Sequence, residues 1–230
     1  RDVYADARFE RLASISVAHL YNLRKSAGYR AQRVVQTKTR GATAPSIGVR
    51  KAPAPEGRPG FIRIDSVHQG DFDGTKGLYH INAVDCVTQW QVVATVQTIS
   101  EAHLLPVIEQ MLAQFPFEIL GFHADNGSEY VNHAVARMLE KLRIEFTRSR
   151  PRRSNDNGLA ETKNGAIVRK EFGYAHIPQR HAGRFNTFCR EYLNPFLNLH
   201  RPCLFATDKP DPKKPGRIKR VYRPEDVMTP

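Results

Sequence analysis

Apolar residues recur along this chain with two different periods, and the change of period divides it into regions. Near the N-terminus the spacing is helical: Val17, Leu20 and Leu23 share one face, while Ala18, His19, Asn22, Arg24 and Lys25 fall on the other. Ser16 stands where an N-cap belongs, and Gly28 where such a helix stops. Upstream, residues 6–12 set Phe9 and Leu12 on one face and are parted from the next helix by Ala13-Ser14-Ile15. Residues 1–35 are therefore expected to hold two short helices joined by a tight turn. Pro45, Pro53, Pro55 and Pro59, with little large apolar content around them, predict an extended linker over 36–57.

From residue 61 the period falls to two. Residues 61–67 alternate, with Ile62, Ile64 and Ser66 on one side and Arg63, Asp65 and Val67 on the other. Residues 78–87 and 90–98 are β-rich and resemble a hairpin across Thr88-Gln89. Ser100 is placed to cap a helix reaching about Phe115, with Leu104, Leu105, Ile108, Met111 and Leu112 inward and Pro106 inside it. A short apolar strand follows at 117–123. Next comes a helix capped by Ser128, with a stripe of Val131, Val135, Met138, Leu139 and Leu142. Residues 144–147 make one more strand. After 157 the chain is helical again, and Pro178 opens a long amphipathic helix using Phe185, Phe188, Tyr192, Leu193 and Phe196. Beyond 201, the run from Lys209 through Pro210, Lys213 and Lys214 to Gly216 predicts an exposed basic tail. Three strands, helix, strand, helix, strand, helix is the order of an α/β fold: a mixed five-stranded sheet flanked by helices.

Composition narrows the class of partner. Lys and Arg number 35 against 23 Asp and Glu, a net charge of +12. An excess of that size suits a polyanion, since each neutralised phosphate releases a condensed counterion. The N-terminal helix pair then reads as a helix-turn-helix, offering His19, Asn22, Arg24 and Lys25 to double-stranded DNA. No apolar run is long enough to span a bilayer, there is no signal peptide, and no basic amphipathic helix suits a membrane surface. Cys86, Cys189 and Cys203 are too few and too scattered for a disulfide framework or a zinc site, so a cytoplasmic setting is expected. Opening at Arg1 rather than Met, the sequence reads as a piece of a longer chain.

Three acids occupy unusual places. Asp65 lies within the first strand, Asp125 directly follows the fourth in Asp125-Asn126-Gly127-Ser128-Glu129, and Glu161 sits in the first turns of a helix after Asn157-Gly158. A half-buried carboxylate is costly to desolvate, and convergence on a hard cation such as Mg2+ offsets that cost. Each also has a plainer role: a strand-end ion pair for Asp65, an Asx-turn for Asp125, a helix-dipole charge for Glu161. Glu129 is expected to support the N-terminus of the second helix, and Asp71, Asp73 and Asp85 to serve turns. Asp156 is the closest rival for the third acid.

Asp65, then Asp125-Asn126-Gly127-Ser128-Glu129, then Asn157-Gly158-x-x-Glu161-x-x-Asn164 resembles the DDE motif of retroviral integrases and bacterial insertion-sequence transposases, with 35 residues between the second and third acids. Glu161-Thr162-Lys163-Asn164-Gly165, Val168-Arg169-Lys170, Gly173-Tyr174 and Asn198-Leu199-His200-Arg201-Pro202 are similar to the bacterial subgroup. The resemblance covers about residues 58–200. It implies a ribonuclease H-like catalytic core there, after a helix-turn-helix segment (1–35) and a linker (36–57), with a basic extension at 201–230. It further implies two Mg2+ or Mn2+ ions held by Asp65, Asp125 and Glu161, Asp65 bridging both, and metal-dependent cleavage and strand transfer of DNA by a homo-oligomer. Where the viral enzymes carry DNA-touching lysines beyond the catalytic Glu, this chain has Gly165 and Val168, so Lys163, Arg169 and Lys170 substitute only in type. The loop carrying Arg148, Arg150, Arg152 and Arg153 is expected to grip phosphates. A nuclease of the same fold without strand transfer and a catalytically silent DNA-binding fragment are the alternatives.

Overall fold

A computed structural model of the chain describes residues 14–32, 47–212, 216 and 218–230. The expected helix at 6–12 lies outside them. Two helices open the described chain, α1 (Val17–Leu23) and α2 (Ala27–Gln32). The Ser16 hydroxyl caps α1 by accepting from the His19 amide. Two details depart from expectation. Gly28 lies inside α2 rather than ending α1, which stops at Arg24. Val17, Leu20 and Leu23 are all exposed, because helical period decides which side chains share a face and not whether anything covers it.

The central sheet is built from β1 (Val49–Arg50), β2 (Phe61–His68), β5 (Tyr79–Asp85), β6 (Gln91–Val96), β7 (Gly121–Ala124) and β8 (Glu145–Arg148), with β3 (Asp71–Phe72) and β4 (Thr75–Lys76) forming a small hairpin beside it. Strand order is β1-β8-β7-β2-β5-β6. The β2–β5 and β5–β6 pairs are antiparallel, while β2–β7, β7–β8 and β1–β8 run parallel. This is the mixed sheet of a ribonuclease H-like fold. The sixth strand, β1, comes from the stretch read as linker. Two residues show no periodicity of their own, and β1 joins the sheet through backbone pairing of Val49 and Arg50 with Thr147 and Arg148.

Both faces of the sheet are covered, so β2 buries Ile62 and Ile64 on one side and Val67 on the other. The first face packs on α3 (Glu101–Leu112) through Leu104, Ile108 and Met111, and on α4 (His133–Lys141) through Val135, Met138 and Leu139. Helix α3 continues through Pro106. The cap of α4 is Asn132, whose side chain accepts from the amides of Ala134 and Val135; Ser128 lies in the preceding turn, and Leu142 is exposed.

The second face packs on two C-terminal helical runs, parted after Phe172. They comprise α5 (Gly158–Lys163), a π-helical turn (Asn164–Val168), α6 (Arg169–Phe172), and then α7 (Ala182–Phe188), a second π turn (Cys189–Leu193) and α8 (Asn194–Leu199). Ile167, Val168, Cys189, Leu193 and Leu197 fill this core. Phe188, Tyr192 and Phe196, expected inward, are exposed. The π turn shifts helical phase, and the inward face is aliphatic and amide instead.

The amides close the sheet. Strand β6 is an edge, and three asparagines each supply one acceptor and one donor to a single β6 residue, as a neighbouring strand would. Asn186 pairs with Thr95 (2.6 and 2.7 Å), Asn194 with Val93 (2.9 and 3.1 Å) and Asn198 with Gln91 (2.8 and 2.8 Å). Unpaired edge groups are otherwise a site for association with another chain. After α8, β9 (Cys203–Leu204) pairs with β12 (Val227–Met228), and β10 (Thr207–Pro210) with β11 (Ile218–Val221). No helix among the described residues is long and apolar enough to cross a membrane. Asn194→Leu should strand the buried N–H and C=O of Val93 and cost about 2–5 kcal/mol of stability. Denaturant unfolding reads this directly, and a loss below about 0.5 kcal/mol would mean that the amide does not seal the edge.

Candidate active site

Strand register brings the first two acids together. Ile64 on β2 pairs with Ala124 on β7, and the strands run parallel, so the next residues, Asp65 within β2 and Asp125 just beyond the end of β7, follow in register on adjacent segments. Neighbouring strands lie about 4.8 Å apart. The two carboxylates adopt the same local arrangement: Oδ1 of each accepts the amide of the following residue, Ser66 at 2.8 Å and Asn126 at 2.7 Å. Asn126 also donates to the Ser149 carbonyl at 3.1 Å, which ties the Asp125 turn to the start of the arginine loop.

The third acid arrives on α5. Asn157, buried at the start of that helix, donates from Nδ2 to the Ile64 carbonyl at 3.1 Å and so pins the helix N-terminus to β2 next to Asp65. Glu161 follows within the first turn and is exposed. One turn later, Asn164 donates from Nδ2 to Oδ2 of Asp65 at 2.7 Å. Burial pushes the Asp65 carboxyl up to about 6, with Asp125, Glu129 and Glu161 adding in that order and the Ser66 amide opposing. The three predicted acids therefore share one electrostatic neighbourhood, and Glu129 belongs to it. Glu129 does not serve the N-terminus of α4 with its carboxylate, which instead accepts from the Ser66 hydroxyl at 3.2 Å. Gly127 makes room for it, since a Cβ there would collide with the Glu129 carboxylate.

A divalent cation suits this set of donors by chemistry: they are hard oxygens, and their mutual repulsion disfavours the charged form of Asp65. Their present spacing is open. Among the described residues no three His, Cys, Asp or Glu side chains stand close enough to hold an ion. Asp65 and Asp125 each turn one oxygen towards the amide that follows.

The other predicted contacts divide into exposed and engaged side chains. Arg152, Arg153 and Lys170 are exposed, as are His19, Asn22, Arg24 and Lys25. Arg150 forks onto Asp156 through Nε (2.9 Å) and Nη2 (2.8 Å), which holds the buried Asp156 carboxyl down to about 2. That pair occupies both Asp156 oxygens and two of the N–H groups of Arg150, whose side chain stays exposed. Arg148 is buried, with no hydrogen-bond partner at Nε or Nη1. Lys163, expected to meet DNA, is buried instead and donates to the Cys203 sulfur at 3.0 Å. Arg169 donates to the His68 carbonyl (2.9 Å) and the Gln69 side chain (3.3 Å), and lies 5.1 Å from the Tyr174 ring centroid. Sequence reasoning assigned no role to Asn157, Asn164, Asn82 or Gln91. The available signal was an amide at 82 and at 91, each next to apolar residues of a strand.

Residues 56–154 match the family described as the integrase core domain, a span that includes Asp65 and Asp125 and ends before Glu161. The chain is 32% identical over 167 residues to a protein of Sinorhizobium fredii (strain NBRC 101917 / NGR234) named "Uncharacterized protein y4rM". That alignment covers 72% of this chain and 47% of the relative, so the chain spans about half the relative's length. Among solved structures it is similar to the HTLV-2 integrase catalytic core domain in complex with magnesium, with TM-score 0.44 and 14% identity over 63% of this chain and 90% of that one. It is also similar to the catalytic core domain of BIV integrase, with TM-score 0.43 and 16% identity over 62% and 85% respectively.

The raised Asp65 carboxyl has a signed consequence. The folded, metal-free protein keeps a proton that the unfolded chain releases, so this residue's contribution to stability falls as pH rises from about 4 to about 6. Asp65→Asn should remove that slope. The unfolding free energy of the variant relative to wild type should grow by about 1–3 kcal/mol between pH 4 and pH 7, measured without divalent metal. A difference that does not change with pH would show Asp65 to be unperturbed.

Proposed function

We propose, from the match of residues 56–154 to the integrase core domain, that this chain is a DDE transposase/integrase that cleaves DNA ends and joins them to a target by metal-dependent phosphoryl transfer, with Asp65, Asp125 and Glu161 as its catalytic acids. The observation that carries the reading is the register of two paired parallel strands. It sets Asp65 beside Asp125, and Glu161 lies within the field of Asp65.

Asp65, Asp125 and Glu161 would hold two Mg2+ ions, with Mn2+ as a substitute. Bound there, such ions neutralise charge at the attacking and leaving oxygens of an in-line displacement. The protein's own part is positioning. Asn164 fixes one oxygen of Asp65, and Asn157 fixes the helix that carries Glu161. In the first step water attacks a phosphodiester at the DNA end, a new P–O bond forms, and the bond to a 3′ oxygen breaks to leave a free hydroxyl. In the second, that hydroxyl attacks a target phosphodiester and displaces another 3′ oxygen. The reaction needs no side-chain nucleophile.

Arg152, Arg153 and Lys170 supply exposed cations to double-stranded DNA, and the net charge of +12 draws it in. Arg148, Arg150, Lys163 and Arg169 take internal partners or are buried, and on this reading they shape the site rather than grip phosphate. His19, Asn22, Arg24 and Lys25 are proposed to read DNA from a helix-turn-helix within residues 1–35. Residues 36–57 would be a linker, 58–200 the catalytic core and 201–230 a basic extension, with two or more copies pairing DNA ends in a homo-oligomer.

Asp125→Asn should keep DNA affinity within about twofold and lower Mn2+-dependent strand transfer by about 100-fold or more, roughly 3 kcal/mol of transition-state stabilisation. Labelled DNA ends separate the readings. Joined products support strand transfer, cleaved products alone support a nuclease, and equal activity of variant and wild type removes Asp125 from the mechanism.

A further inference from the structure

Three side-chain amides, those of Gln91, Asn82 and Asn164, run in series through the interior and end on the Asp65 carboxylate, and a fourth, that of Asn198, holds the backbone at the far end. Asn198, on α8, brackets the backbone of Gln91. Gln91 donates from Nε2 to Oδ1 of Asn82 at 2.8 Å. Asn82 donates from Nδ2 to Oδ1 of Asn164 at 2.8 Å. Asn164 donates from Nδ2 to Oδ2 of Asp65 at 2.7 Å. Asn82, Gln91 and Asn198 are 0%, 2% and 2% exposed, so none is placed there by contact with water.

The direction of this chain is set by one backbone group. The NH2 of Asn82 also donates to the Ala160 carbonyl at 3.2 Å, and a carbonyl can only accept. The Asn82 oxygen must therefore face Gln91, and the Asn164 oxygen must face Asn82. The Asn164 NH2 is left aimed at Asp65. The dipoles of Gln91, Asn82 and Asn164 each point their donor end along the series towards the carboxylate, and such aligned chains strengthen one another at low dielectric. Asn82 is also the cross-strand partner of Asp65 in the β2–β5 register, and Ala160 immediately precedes Glu161. One side chain thus ties together the strand of the first acid and the helix of the third. Apolar residues of similar size would fill the same volume without the desolvation cost of buried amides, so packing alone does not explain them.

We infer that Asn82 and Gln91 are positioning residues for the acid cluster, orienting Asp65 through Asn164 and anchored by Asn198 on the edge helix. The inference rests on the reading of Asp65 as a catalytic acid. Its test uses the whole chain and the near-isosteric Gln91→Met, which removes the donor to Asn82. The variant should unfold cooperatively and bind DNA within about twofold of wild type. Mn2+ binding by calorimetry and the turnover number for strand transfer should both fall by about tenfold, as for other outer partners of metal ligands. In an Asn164→Ala background the same substitution should change turnover no further, because the path to Asp65 is already cut.

Losses that multiply in the double variant, or a lowered unfolding midpoint with Mn2+ binding and turnover intact, would overturn the inference and leave a packing role. Metal-free wild type gives a measurement independent of how the variants fold: the side-chain NH2 of Asn164 should exchange slowly with solvent in 15N spectra, and fast exchange would equally overturn the relay. Absence of Mn2+ binding and strand transfer in wild type itself would instead strike the catalytic reading.

Discussion

The pairing of β2 with β7 is the constraint on which the site depends. Two parallel strands meet in the middle of the sheet with Ile64 opposite Ala124, and the residue after each is an aspartate. A slip of one residue would send Asp65 or Asp125 to the opposite face. Register is protected by the core itself, because Ile62, Ile64, Phe122 and Ala124 are all buried on the same side. The hydrophobic face therefore does chemical work at a distance: packing that holds the strands in phase also sets one carboxylate beside the other.

Bringing carboxylates together inside a protein is unfavourable, and the surroundings of Asp65 show how the fold tolerates it. Burial and three neighbouring acids oppose ionisation, while the Ser66 amide and the Asn164 side chain support it. The result is a carboxyl raised to about 6. Amides serve a second purpose along β6, where Asn186, Asn194 and Asn198 stand in for the missing strand. Asn198 belongs to both systems, since the backbone it seals is that of Gln91. Edge closure and acid positioning thus share a residue, and α8 is coupled to the active site through the sheet rather than around it.

The basic side chains show how little formal charge says about destination. Arg150 is spent on Asp156, Lys163 on Cys203 and Arg169 on the turn at His68, while Arg148 is enclosed. Arg152, Arg153 and Lys170 remain exposed. A long flexible cation can turn either way from the same backbone position, and the nearest buried acceptor decides.

Element order, both core faces of β2, the hairpin and the placement of the three acids were legible in the linear pattern, because period and turn chemistry are local properties. The motif around Asp125 and Glu161 carried the family resemblance for the same reason. What the pattern misjudged were quantities that depend on neighbours: the exposure of Val17, Leu20 and Leu23, the cap at Asn132 in place of Ser128, and the inward face of the last helices. The two-residue strand β1 was invisible because it contributes backbone groups rather than a side-chain rhythm. By itself, then, the sequence determined which residues have the chemistry to act and which strands and helices carry them. Tertiary structure alone decided their company, that Asn164 meets Asp65, that Glu129 joins the acids and that Lys163 meets the Cys203 sulfur, since each outcome depends on contacts between segments tens of residues apart.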